Sequence, residues 1–93
     1  MDQTVVTLPP YPRRVDAILD YEVQRDLALY DPRSDIVHML NLTASIVWDL
    51  CDGTRSVQQI AQELAEIYGM DAPRLETDVR QIIAEFHDTG VIL

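Results

Sequence analysis

The side chains with chemical reach are few: two imidazoles, His38 and His87, one thiol, Cys51, and four carboxylates near the C-terminus, Glu76, Asp78, Glu85 and Asp88. A thiol beside an imidazole is a pairing for nucleophilic catalysis, and clustered His and Cys are ligands for zinc. The spacing favours neither chemistry. Neither histidine has a cysteine or the other histidine at metal-ligand distance in sequence, and nothing beside Cys51 supplies an oriented base or an oxyanion hole. Cys51 falls in an apolar helical register and reads as a buried, inert thiol; as the only cysteine it has no internal disulfide partner. The turns Asp52-Gly53 and Gly69-Met70 match neither a phosphate-cradling loop nor a dinucleotide fingerprint. The four carboxylates read as the solvated side of a helix. No enzymatic activity, metal or cofactor is expected.

Charge narrows the partners. The 93 residues carry a net charge of −9, with seven arginines as the positive side chains and no lysine. Phosphate binding rests on clustered Lys and Arg, so a nucleic-acid partner is not expected. No run approaches the roughly 18 apolar residues of a membrane span, and the N-terminus lacks the basic and apolar blocks of a secretory signal. The expectation is therefore no membrane association and a cytoplasmic location. With 47% hydrophobic residues in periodic groups, the chain should form one folded domain.

The elements follow from periodicity. Residues 1–14 contain Pro9, Pro10 and Pro12 around Tyr11, which favour an extended, flexible arm ahead of a domain at 15–93. Leu19, Tyr21 and Val23 alternate with Asp20 and Glu22, the pattern of a half-buried strand. Residues 27–30 form a second strand. Asp31-Pro32-Arg33-Ser34 has proline at the second position of a type I turn, and a third strand runs over 36–40. Asn41 or Thr43 can cap a first helix whose stripe is Ile46, Val47 and Leu50. Ser56 with Gln59 forms a capping box for a second helix, with Val57, Ile60, Ala61, Leu64 and Tyr68 on one face and Gly69 as its C-terminal cap. Asp71 is placed to cap a third helix, with Pro73 in its first turn and an apolar face of Leu75, Val79, Ile82, Ile83 and Phe86. Gly90 stops it and Val91-Ile92-Leu93 fold back. Three antiparallel strands and three helices sharing one core make an α+β, winged-helix-like fold.

The third strand is the candidate site. Ile36, His38 and Leu40 alternate with Val37 and Met39, so both faces carry apolar surface, and the strand has neither Lys nor Pro to guard it. As a sheet edge, its N–H and C=O groups would pair with an incoming extended peptide, while pockets against the third helix take alternate side chains. The apolar face of that helix serves core and groove alike, and Arg74 and Arg80 are placed to pair with acidic residues of such a peptide.

At this point the residues resemble a known family. Residues 29–33, Val37-His38-Met39-Leu40-Asn41-Leu42-Thr43-Ala44, residues 46–53, Ser56-Val57 with Ile60, and residues 78–86 with Gly90-Val91-Ile92 are similar to the PqqD-like proteins. These are also called RiPP recognition elements, leader-peptide-binding domains of pathways that modify ribosomally made peptides. The resemblance covers residues 15–93 and is most specific over 40–53, where a Leu-Asn-x-Thr-Ala opening and an Asp-Gly exit flank one helix. It implies a non-catalytic chaperone that binds a precursor's leader as an added strand. The implied site is Ile36, Val37, His38, Met39 and Leu40 with Leu75, Asp78, Val79, Arg80, Ile82, Ile83 and Phe86, and Arg74 joins it on charge. The implied partner is a modifying enzyme: a radical S-adenosylmethionine protein in the pyrroloquinoline quinone (PQQ) pathway, a leader peptidase in lasso peptide pathways. The chain departs from the pathway-specific pattern in reading Asp31-Pro32-Arg33-Ser34 where an aromatic and a Pro-Glu segment are usual. Two other functions suit the same architecture: a winged-helix DNA-binding regulator, opposed by the negative charge, and an enzyme-docking subunit that binds no peptide.

Overall fold

In the computed structural model, which describes residues 8–93, three strands precede three helices: β1 (Leu19–Val23), β2 (Asp26–Asp31), β3 (Ile36–Leu40), α1 (Leu42–Leu50), α2 (Val57–Tyr68) and α3 (Ala72–Asp88). The strands form one antiparallel sheet in the order β1-β2-β3, with Tyr21 opposite Ala28 and Ala28 opposite Met39. The β2–β3 turn closes as expected around Pro32: Asp35 N–H donates to the Asp31 carbonyl at 2.8 Å, and the Asp31 side chain accepts from the Arg33 amide at 2.9 Å.

The helix boundaries have local causes. Asn41 caps α1 by accepting from the Ala44 amide at 2.9 Å. Ser56 and Gln59 make the reciprocal capping box of α2, and Gly69 ends that helix at φ +64°, where a side chain would be strained. Asp71 stands at the cap position of α3, but its side chain accepts no capping bond, contrary to the sequence expectation; its carbonyl accepts from the Arg74 amide at 3.1 Å. Pro73 in the first turn, where a missing N–H costs nothing, starts the helix instead.

Leu29, Val47, Cys51, Ile60, Leu64, Val79 and Ile83 have no access to solvent and form the centre of one core. Trp48 meets Phe86 edge to face, with ring centroids 5.8 Å apart. Val91 and Ile92 fold back into this core, and the Val15 amide donates to the Val91 carbonyl at 3.0 Å. Residues 1–7 of the expected arm lie outside the described residues. Its last three are tied to the body: Pro12 is buried, Gly53 N–H donates to its carbonyl at 2.9 Å, and Arg13 and Arg14 bridge to Asp52 and Ile92. Gly53 takes φ +86°, and a Cβ there would lie 3.3 Å from the Arg13 side chain.

β1 corrects the expectation of a half-buried strand, because all five of its residues are exposed. Its acidic members face inward, where Asp20 approaches the Trp48 indole N–H at 3.4 Å and shares a hollow with Glu22 and Asp49. Leu19, Tyr21 and Val23 thus lie on the outer face of the sheet with Val37 and Met39. The helical layer ends at α1 and does not reach under β1, so the inner positions remain wet. Among the described residues no helix is long and apolar enough to cross a membrane.

Ile83 lies at the centre of the core, so Ile83→Ala should cost about 2–5 kcal/mol in denaturant unfolding. Ile83→Asp should abolish the cooperative transition, because a buried carboxylate there would have no partner.

Candidate functional site

Two strands of the sheet are edges, and they differ. β1 points Asp20 and Glu22 inward, a charge guard against pairing with another strand. β3 carries Ile36, His38 and Leu40 on the inner face and Val37 and Met39 on the outer, with no charge, Pro or Lys. Among the described residues β3 pairs only with β2, so its outer row of N–H and C=O groups is open.

Beside that edge runs α3. No Cα of α3 comes within 8 Å of a Cα of β3, and side chains line the space between. One hollow of about 380 Å³ is bordered by Met39, Leu40, Asn41, Thr43 and Ala44 on one side and Asp78, Gln81, Ile82, Glu85 and Phe86 on the other. A second of about 200 Å³ continues past His38, Met39 and Leu40 to Glu85, Phe86 and Thr89, with Leu29 and Val91 beneath. Together they form a groove with an apolar floor that runs along β3 from Leu40 to His38 and along α3 from Asp78 to Thr89.

A hydrogen-bonded clamp ties one end of the groove together. Asp31, the one buried polar residue among the described residues, ends β2, and its carboxylate accepts from Arg33 Nε and Nη2, each at 2.9 Å. The same Nη2 donates to the Gly90 carbonyl at 2.7 Å, joining the β2–β3 turn to the end of α3. These guanidinium bonds hold the Asp31 carboxyl at a pKa of about 2, below the usual carboxylate value, against the opposing effect of desolvation. On the opposite side of the turn, Tyr30 donates its hydroxyl to Asp35 at 2.7 Å, which raises the Tyr30 pKa.

The residues singled out from sequence divide into three groups. His38, Met39, Leu40, Asp78, Ile82 and Phe86 line the groove, and Ile36 and Val37 continue the exposed edge. Leu75, Val79 and Ile83 are buried among the helices and face no groove. The stripe 75/79/83/86 is the core face of α3, and 78/82/85 is the neighbouring face one step around the helix. Arg74 borders neither hollow. Arg80 lies 3.7 Å from Glu76 and borders a separate hollow of about 600 Å³ with Leu8, Pro9 and Ser56. Sequence reasoning missed Gln81, Glu85 and Thr89 on the α3 side and Asn41, Thr43 and Ala44 at the start of α1. The Asp78–Ile82–Glu85 spacing of i, i+4, i+7 was the signal for Glu85.

Cys51 is buried, and burial pushes its thiol up to about 12, so it stays protonated. Among the described residues no three His, Cys, Asp or Glu side chains gather as metal ligands. What the groove offers is an unpaired strand edge, apolar pockets and carboxylates.

Fold and site together define a winged-helix-like α+β domain whose sheet is open on the side flanked by its last helix. Residues 26–92 match the family model described as coenzyme PQQ synthesis protein D (PqqD), and the chain belongs to that family. It is 38% identical over 71 residues to a PqqA binding protein of Xanthomonas oryzae pv. oryzae (strain PXO99A), covering 76% of each chain. A PqqA binding protein of Xanthomonas euvesicatoria pv. vesicatoria (strain 85-10) is 46% identical over 49 residues, 53% of either chain, so the match spans about half of that relative. Among solved structures, the PqqD portion of Methylobacterium extorquens PqqCD, described as a stand-alone RiPP recognition element, superposes with a TM-score of 0.78 at 25% identity. That match covers 97% of this chain and 96% of the solved one.

The clamp has a pH signature. Because the folded pKa of Asp31 lies near 2 and the ordinary value is 3.8, its stabilisation is full above the ordinary value and fades as pH falls towards 2. The Tm gap between wild type and Asp31→Asn should therefore be constant from neutral pH down to about pH 5 and shrink steadily below about pH 4. A thermal melt series over that range checks it.

Proposed function

We propose that this chain is a peptide-binding chaperone that takes the leader of a ribosomally made precursor as a fourth strand beside β3 and presents it to a modifying enzyme. The observation that carries this reading is the open β3 edge facing the α3 groove. Backbone hydrogen bonds to β3 supply affinity for an extended chain, and the pockets at Leu40, Ile82 and Phe86 select alternate side chains. The names of the Xanthomonas relatives and the description of the Methylobacterium domain support it.

The recognition unit is residues 15–93, with residues 12–14 of the preceding segment anchored to it. The chain carries no chemistry of its own. Its partner enzyme is of the radical S-adenosylmethionine class or a leader peptidase, and the work is cytoplasmic, where ribosomal precursors arise. A DNA-binding role is disfavoured, since the groove face of α3 presents Asp78 and Glu85 where phosphate contacts would need basic residues. One observation favours a second reading, an enzyme-docking subunit without peptide binding: the outer sheet face exposes Leu19, Tyr21, Val23, Val37 and Met39.

An NMR titration of labelled protein with leader segments of candidate precursors separates the two. Strand addition predicts shifts concentrated on Ile36–Leu40 and on residues 78–89, and Val37→Pro should abolish them while the helical circular dichroism signal persists. Unchanged affinity in that variant would sink the edge-strand model. Absence of shifts with every leader would favour the docking subunit.

A further inference from the structure

We propose that the β3–α3 groove selects a cationic strand: an extended segment with an apolar residue at i+2 between lysines or arginines at i and i+4. This rests on the strand-addition reading and names the chemistry of the segment taken.

The charge of the groove is one-sided. Its lining contains two carboxylates, Asp78 and Glu85, and no arginine. Arg33 is engaged with Asp31, Arg55 with Asp52 and Glu63, and Arg80 with Glu76, whereas no ion pair or hydrogen bond engages the side-chain carboxylate of Asp78 or Glu85 among the described residues. Arg74 and Arg80, the sequence candidates for pairing with an acidic leader, border neither hollow. An acidic segment would instead meet two like charges on a protein of net charge −9.

The geometry gives the spacing. Asp78 and Glu85 are two helical turns apart, about 10.5 Å along α3. Side chains on one face of a strand recur about every 6.7 Å, so positions i and i+4 stand about 13 Å apart. Lysine and arginine stems close the difference of 1–2 Å per side, given as about that by the same rises. The groove advances from Leu40 towards His38 as α3 advances from Asp78 towards Glu85, so strand and helix run side by side. The i+2 side chain then falls on Leu40, Ile82 and Phe86.

Two synthetic peptides test it: acetyl-Thr-Thr-Lys-Thr-Leu-Thr-Lys-Thr-Thr-amide and its counterpart with Glu for both Lys. Titrated into labelled protein at about 20 mM NaCl, the Lys peptide should bind about threefold to tenfold more tightly, with shifts on Ile36–Leu40. That ratio should approach one at about 500 mM NaCl. It should also approach one in the Asp78→Asn, Glu85→Gln double variant, whose exposed substitutions leave the fold intact. Equal affinities at low salt, or preference for Glu, with shifts still on β3 would overturn the charge inference and leave strand addition standing. Absence of shifts on β3 with either peptide would overturn both.

Discussion

A helix and an edge strand whose backbones stand apart are held in register by what spans them. Here the span is Asp31, Arg33 and Gly90. The Asp31 carboxylate, buried at the end of β2, accepts the backbone and side-chain donors of Arg33, and the remaining hydrogen of Nη2 reaches the carbonyl that follows α3. A carboxylate in that position without its partner would be a buried charge, so the turn cannot relax cheaply. The β2–β3 turn is thereby held against the C-terminal end of α3. At the floor, Phe86 packs edge-on against Trp48 and Leu29 is enclosed, which prevents the walls from closing together.

The same constraint explains why the two sheet edges are unequal. Helices cover the inner face only as far as β2 and β3, and Leu27, Leu29 and Leu40 answer with apolar side chains. β1 extends past the helical layer, and its inner positions are acidic. An inward charge prevents another strand from docking there at little cost, since the position is hydrated anyway. β3 cannot carry such a guard: its inner positions face the groove floor, where an unpaired charge would be desolvated by whatever fills the groove. The open edge is thus a consequence of where the helices end.

Much of this was legible in the sequence, for identifiable reasons. The Pro32 turn, the Asn41 cap, the Ser56–Gln59 capping box and Gly69 are local signals whose physics involves neighbours within four residues, and each appears as read. The fold class followed because the periodic stripes could share only one core. Other readings failed. Period-two alternation in β1 identified a strand but not that both of its faces stay exposed, because that depends on where the helical layer ends. The apolar stripe of α3 merged two faces, so Leu75, Val79 and Ile83 were assigned to the groove although they close the core. Glu85 is solvated as read, but a helix alone does not reveal which of its exposed polar positions face another element. Asp71 shows the limit of cap signals, since Pro73 suffices to start the helix.

The partition of charge follows from what guanidinium can do that a point charge cannot. Arg33 serves a carboxylate in bidentate fashion and a carbonyl beyond it, and Arg14 reaches two carbonyls at the end of α1, those of Trp48 and Asp49. Such multi-acceptor roles require a planar fork with several fixed donors; an ammonium has fewer donors and none of the planarity. Arginines are therefore drawn into holding elements together, at the turn, at the α1 terminus and, through Arg55, at the corner before α2. The carboxylates outnumber them, sixteen acidic residues to seven arginines, so some must remain without a cationic neighbour. Two of these stand on the face of α3 that looks across at the open strand, which gives the groove its sign as well as its shape.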